Sequence, residues 1–274
     1  MRQAANTNTA NHKEPGFSLL ELMVVVAILS IVMGAIFTTI NDGFKKYRVE
    51  EARLNITQQS REFLDQIVRD LHSAGYPSVK MYTPAAIGVV PAAYNNQYVA
   101  QGLVAVSSSN IMFEGDVDGS GVVQSIRYTL NADANGNCPC TMLRSAVPKV
   151  AGAPTAQATN YNTQLQNVIN SLPGGAAYPI AGTTVFGSGQ APVANDALYA
   201  TYKGVAVFTF FDNAGNTVAV PADLVGANLA AGQAAAANVR IVSIALNMLS
   251  PDQDLQTKIR MSVSMRGMVK LNNL

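Results

Sequence analysis

Residues 17–40 read FSLLELMVVVAILSIVMGAIFTTI, 24 residues without proline, in which Glu21 is the one ionisable side chain. At ~1.5 Å per residue a helix of this length reaches roughly 36 Å, enough to cross a hydrocarbon core of about 30 Å. A cleaved secretory signal, a membrane anchor and a buried soluble helix compete for this pattern. A secretory signal holds an apolar run of about 7–15 residues ahead of a small-x-small cleavage site; this run is longer and passes straight into a charged stretch. A buried helix of a soluble protein is rarely apolar on every face. The membrane-spanning helix is the reading that survives. Glu21 stands out within it, because a carboxylate in the bilayer interior costs ~2.5 kcal/mol or more. Either it reaches the headgroups from the membrane edge or it meets a partner.

Upstream, residues 1–16 read MRQAANTNTANHKEPG, polar and unfit to build a core. Arg2 and Lys13 precede the span while Lys45, Lys46 and Arg48 follow it, so the positive-inside rule is obeyed only weakly. Downstream, residues 42–71 are crowded with Asp, Glu, Lys and Arg. Phe63, Leu64, Ile67, Val68 and Leu71 recur at three- and four-residue spacing and predict one apolar face over 42–74. Arg61–Asp65 and Asp65–Arg69 are spaced as i,i+4 pairs on the solvated side. Gly75-Tyr76-Pro77 supplies a stop. The spacing therefore predicts one helix of about 55 residues, on the order of 80 Å. Gly34, inside the span, suits close helix packing, and His72 suits the negative end of the helix dipole.

The chain is long enough to bury a sizeable core. Its 18 basic and 17 acidic residues leave a net charge of +1, so no electrostatic footprint points to nucleic acid. Charged residues make up only 13% of the chain, which suits a secreted or assembled protein better than a cytosolic enzyme. No Ser/His/Asp set or nucleophile motif supplies an acid–base pair, so the sequence predicts no enzyme and no cofactor. Cys138 and Cys140 flank Pro139; they lack the ligand count of a zinc site and the Cys-x-x-Cys spacing of a redox motif, which leaves two thiols or a local disulfide.

Beyond Pro77 the pattern turns to strands and loops. Strands are predicted at 110–114, 122–130, 141–146, 205–211, 239–248 and 257–270, the last two paired across Ser250-Pro251-Asp252. Short helices are predicted at 161–172 and 222–236, and surface loops at 84–102, 150–160 and 173–197. Asp212-Asn213-Ala214-Gly215-Asn216 reads as a turn. Asp116, Asp118 and Ser120 place oxygens alternately, as a calcium loop does. Counted as an EF-hand from Asp116, however, the twelfth position is Arg127 rather than Glu, and a hairpin turn is the favoured reading. A helix followed by antiparallel strands is an α+β order with the helix covering one face of the sheet.

Gly16-Phe17-Ser18-Leu19-Leu20-Glu21-Leu22-Met23-Val24 resembles the prepilin processing motif of type IV pilins and type II secretion pseudopilins. Pro15 occupies the position where a basic residue is common in that family. The resemblance implies cleavage by prepilin peptidase between Gly16 and Phe17, methylation of the new N-terminus at Phe17, and an assembly role for Glu21. In the family that carboxylate recruits the N-terminal amine of a neighbouring subunit, and such a pair would fix the axial register of helix on helix.

The implied organisation is a leader at 1–16, a transmembrane and assembly helix at 17–40, its amphipathic continuation at 41–76, and a periplasmic or extracellular β-rich domain at 77–274. The implied partners are other major and minor pilins or pseudopilins, prepilin peptidase, an inner-membrane assembly platform and membrane lipid. The larger minor pilins of the PilW type are the most similar, with a lesser likeness at the Asp116–Gly119 turn, Ile126-Arg127-Tyr128, Leu143-Arg144 and the final strands. The implied role is a subunit that initiates or caps a pilus, with a J-type secretion pseudopilin and a pilus-tip adhesin as alternatives.

Overall fold

The computed structural model describes residues 18–78, 81, 97–131, 138, 140–150, 160–170, 202, 204–253 and 260–272. Helix α1 runs Leu19–His72, 54 residues without interruption. It stops where expected: Gly75 has φ 80°, in the left-handed region that glycine adopts without strain. The chain divides into two compact units, residues 1–48 and 49–274.

In the first unit every large apolar side chain from Leu19 to Ile40 is exposed. A helix of this length and composition can cross a membrane. Its few hydroxyls are satisfied within the helix, Ser30 Oγ donating to Val26 O at 2.8 Å and Thr38 and Thr39 to Ala35 O at 2.8 and 2.9 Å. Polar groups in hydrocarbon need such internal partners.

In the second unit the C-terminal part of α1 buries Ile56, Ser60, Phe63, Leu64, Ile67, Asp70 and Leu71. These positions fall three or four apart, so they form one stripe along the helix. The stripe lies on an antiparallel sheet built from β1 (Leu103–Val106), β2 (Asn110–Gly115), β3 (Gln124–Asn131), β4 (Cys140–Pro148), β5 (Asn162–Val168), β6 (Phe208–Phe211), β7 (Ile241–Gln253) and β8 (Arg260–Lys270). The strand order is β1-β2-β3-β4-β5-β7-β6, with β8 paired to β7. This is the α+β arrangement predicted.

Tyr128 of β3 sits at the centre of the packing. Phe63 meets its ring edge-on at 5.8 Å between centroids, and Phe113 stacks on it at 6.4 Å. A short helix α2 (Asn228–Ala236) lies against β1. Gly232 permits that approach, since a Cβ there would stand 2.7 Å from Val106 O. β1 was not predicted from sequence; with all four of its residues buried, it lacks the alternation that marks a half-exposed strand.

Three expectations need correction. The apolar residues at 161–172 were expected on a helix, but Asn162–Val168 is strand β5. Leu165 pairs with Met142 and Val168 with Cys140, and the ladder slips between the two pairs. Gln166 and Asn167 of β5 thus face the single Thr141 of β4, with Asn167 at φ 59°, and this bulge turns Leu165 and Val168 to the same side despite their helical spacing.

The turn expected at Ser250-Pro251-Asp252 is absent, because β7 continues to Gln253. Pro251 is tolerated at the irregularity between Leu249 and Gln253, and Arg260 donates to the carbonyls of Ser250 and Pro251. The helix expected from 222 begins at Asn228, since Asp223 Oδ1 accepts from Val225 N–H at 3.1 Å and Asn228 Nδ2 at 2.7 Å and holds the preceding residues in a turn. Most of the expected loops at 84–102, 150–160 and 173–197 lie outside the described residues, but Val99 and Ala100 belong to the core.

Ile67 is fully buried at the middle of the helix–sheet contact. Ile67→Ala should lower the stability of the full chain in detergent by about 3 kcal/mol in a chemical-unfolding titration. Asp65→Ala, on the exposed side of the same helix, should change it by about 0.5 kcal/mol or less.

Candidate functional site

Glu21 lies in the first turn of α1 and is exposed. Leu22 N–H donates to Ser18 O at 3.1 Å, so the helical hydrogen bonding begins at Ser18. Among the described residues no ion pair or hydrogen bond engages the Glu21 carboxylate. Gly16 and Phe17, the predicted cleavage and methylation positions, lie outside the described residues. The apolar helix and its carboxylate are thus present as expected, with the acid on the helix surface where a second molecule can reach it.

A prokaryotic N-terminal methylation motif matches residues 11–37. The motif and the long apolar helix together fit a type IV pilin-like protein. The match takes in Gly16, Phe17 and Glu21 and supports a pilin or pseudopilin that prepilin peptidase processes, anchored in the inner membrane by its apolar N-terminal helix. No curated protein and no solved structure matches the chain.

The folded domain of this pilin-like chain ties α1 to the sheet through polar contacts that sequence reasoning missed. Tyr128 Oη donates to Asp70 Oδ2 at 2.6 Å, and Arg144 Nε donates to the same oxygen at 2.8 Å and to Tyr128 Oη at 3.1 Å. Asp70, Tyr128 and Arg144 come from α1, β3 and β4 respectively. Burial, and then the adjacent Asp70 carboxylate, hold the Tyr128 phenol well above its ordinary value of 10.0. For Arg144 burial opposes the charge, but Asp70 and Tyr128 outweigh it and the guanidinium is held above its usual range. The sequence signal for Asp70 was its position three residues after Ile67 and one before Leu71, an acid on a core-facing stripe.

A second pair is buried completely: Lys149 Nζ meets Glu114 Oε2 at 2.6 Å and donates to Val99 O at 2.8 Å. Gln101 N–H donates to the same carboxylate oxygen at 2.9 Å, which fastens the chain entering β1 to β2 and β4. Asn170, just past β5, ties that strand to β7. Its Oδ1 accepts from Asn247 N–H at 2.7 Å and its Nδ2 donates to Ala245 O at 3.0 Å.

The residues considered for calcium sit in the β2–β3 hairpin. Asp116 Oδ2 accepts from Gly121 N–H at 2.9 Å, and Asp118 accepts from Ser120 N–H at 3.0 Å and Gln124 Nε2 at 2.7 Å. The Ser120 hydroxyl and backbone N–H are the main reason the Asp118 carboxyl is held below its ordinary range. Both carboxylates therefore organise the turn that joins the strands. Among the described residues no three His, Cys, Asp or Glu side chains are gathered as metal ligands. Cys138 and Cys140 are joined in a disulfide beside Asn170. His72 ends α1 and is exposed.

The Tyr128 shift fixes the sign of a pH effect. The unfolded phenol loses its proton near pH 10.0 while the folded one keeps it. The folded state therefore binds more protons above that pH, and stability present below it falls as pH rises. Unfolding titrations of the full chain between pH 9 and about 11 should show this decline, and Tyr128→Phe should flatten it.

Proposed function

We propose that the chain is a minor type IV pilin of the PilW kind, which helps to initiate or cap a pilus after cleavage between Gly16 and Phe17. The observation that carries this reading is a methylation motif at 11–37 leading into an uninterrupted helix from Leu19 to His72, with a carboxylate in its first turn. A freshly exposed amine at Phe17 and the Glu21 carboxylate of another subunit are complementary charges. Each is costly alone in hydrocarbon and less so when paired. The pair gives helices a defined axial register, as a buried polar group does in coiled coils.

The β-rich domain then lies on the periplasmic side and, after assembly, at the cell surface. Its stabilising polar groups are spent on internal contacts: Asp70 with Tyr128 and Arg144, Glu114 with Lys149. That supports a structural and interaction role rather than an enzymatic one. A domain larger than that of typical major pilins favours a subunit present in few copies, whose contacts are with other minor pilins and the assembly platform.

Mass spectrometry of the N-terminus, from cells with and without prepilin peptidase, should find a methylated Phe17 only when the peptidase is present. A different mature end, or processing that does not need the peptidase, would refute the reading. Glu21→Ala should leave membrane insertion and cleavage intact yet reduce recovery in sheared filaments by tenfold or more, the equivalent of about 1.4 kcal/mol per subunit contact. Unchanged recovery would remove the role assigned to the carboxylate.

A further inference from the structure

The two ends of the sheet are treated differently. At one end β1 is fully buried, with α2 set against it. On the far side of β7, β8 pairs with β7 and, among the described residues, with no other strand. β8 is 11 residues long, about twice the usual strand of 5–6 residues, and contains no proline.

The register shows which of its backbone groups are unused. Leu271 N–H donates to Arg240 O at 2.9 Å. By the alternation of an antiparallel ladder, odd-numbered residues of β8 then bond to β7 and even-numbered ones point away. The pairs Val269↔Val242, Gly267↔Ile244 and Met265↔Leu246 are the bonded ones, whereas Met268↔Ser243 and Arg266↔Ala245 are not. β7 agrees independently, since Ala245 N–H donates to Val207 O on its other side. Ser262, Ser264, Arg266, Met268 and Lys270 thus present N–H and C=O groups with no strand partner among the described residues. Their side chains are also the exposed ones, while Val263 and Met265 pack on the core and Gly267 faces Leu64 of α1.

An open edge of this length is a template for pairing with another chain, and its charge narrows the choice. Residues 257–274 contain Lys258, Arg260, Arg266 and Lys270 and no Asp or Glu. Two copies pairing edge to edge would bring Arg266 opposite Arg266, or Arg266 opposite Lys270, in the registers centred on residues 266 and 268. Like charges directly opposite destabilise a ladder.

We propose that the β8 edge takes up an extended, acidic strand of a different protein subunit and so lengthens the sheet. Main-chain bonds to the five even-numbered residues supply the attachment, and Arg266 and Lys270 select the charge of the incoming strand. The biological partner follows from the assembly role proposed above, but the edge is tested without a filament. Failure here therefore leaves the Phe17 and Glu21 experiments standing.

The test is site-resolved amide hydrogen exchange on the full-length chain in detergent micelles, with two synthetic strand peptides alternating Thr or Val with Glu in one and with Lys in the other. The Glu peptide should slow exchange at Ser262, Ser264, Arg266, Met268 and Lys270 by roughly tenfold, the worth of one strong backbone hydrogen bond. The Lys peptide should not. Met268→Pro removes an outward N–H and should abolish the protection while the melting temperature is retained. Arg266→Glu with Lys270→Glu leaves the backbone unchanged and should reverse the preference between peptides. Equal protection by both peptides, or none by the Glu peptide, overturns the proposal. So does protection that grows with the protein's own concentration, which would identify a second copy as the occupant.

Discussion

The fold depends on one contact, the apolar stripe of α1 from Ile56 to Leu71 packed on the sheet, with Phe63 against the ring of Tyr128. Ile67, Leu71 and Tyr128 are each fully buried, and burying side chains of this size is worth roughly 1.5–3 kcal/mol apiece. Burial alone would leave the helix free to slide or rotate on a smooth sheet. The Tyr128 hydroxyl and the Arg144 guanidinium both ending on one oxygen of Asp70 remove that freedom. A single carboxylate thus fixes the helix at its exit from the stripe, just before Gly75 turns the chain toward β1. Because Ala74 then bridges Gly115, the same corner also positions the end of β2.

The opposite treatment of charge at the two ends of α1 follows from solvent. Asp70 is held in the domain by two donors, and Glu114 by a lysine and a backbone N–H. Each of these acids finds its partners within the chain. Glu21 finds none among the described residues and lies on a helix whose surroundings are meant to be hydrocarbon. An acid so placed is tolerable at the membrane edge and becomes favourable only when a cation arrives from outside. This difference separates a carboxylate that stabilises a fold from one left available to a second molecule, as the proposed assembly role requires.

Much of this was legible in the residues, for reasons that can be named. The helix was readable because a missing proline, a 24-residue apolar run and a three-four spacing all describe the same element. The hairpin of β2 and β3 was readable from its Asp–Gly turn, and the pairing of β7 with β8 from two long β-rich runs. β5 was not, because its bulge places core residues at helical intervals. β1 was not either, because all four of its residues are buried and no alternation marks it; the Glu114–Lys149 pair depends on which segments meet across a longer sequence separation, and no local pattern carries that. Of the candidate site, Gly16, Phe17 and Glu21 were visible at once because motif chemistry is local. The clamp on Asp70 was not, although an acid within an apolar stripe is itself a sign that a buried donor awaits.

The unequal ends of the sheet bear on how such a domain stays soluble and still associates. A strand edge is usually blunted by charge, proline or a covering element. β1 has the covering element. Among the described residues β8 has only cations, and these act by sign: they oppose pairing of two identical edges yet leave the row of outward amides and carbonyls intact. Cationic residues on an edge therefore protect against self-association without closing the edge to an acidic strand. If charge served solely to prevent aggregation, mixed signs or a proline at an outward N–H would serve as well, and the latter would close the edge completely. A long strand carrying one sign and no proline is the arrangement that keeps discrimination possible.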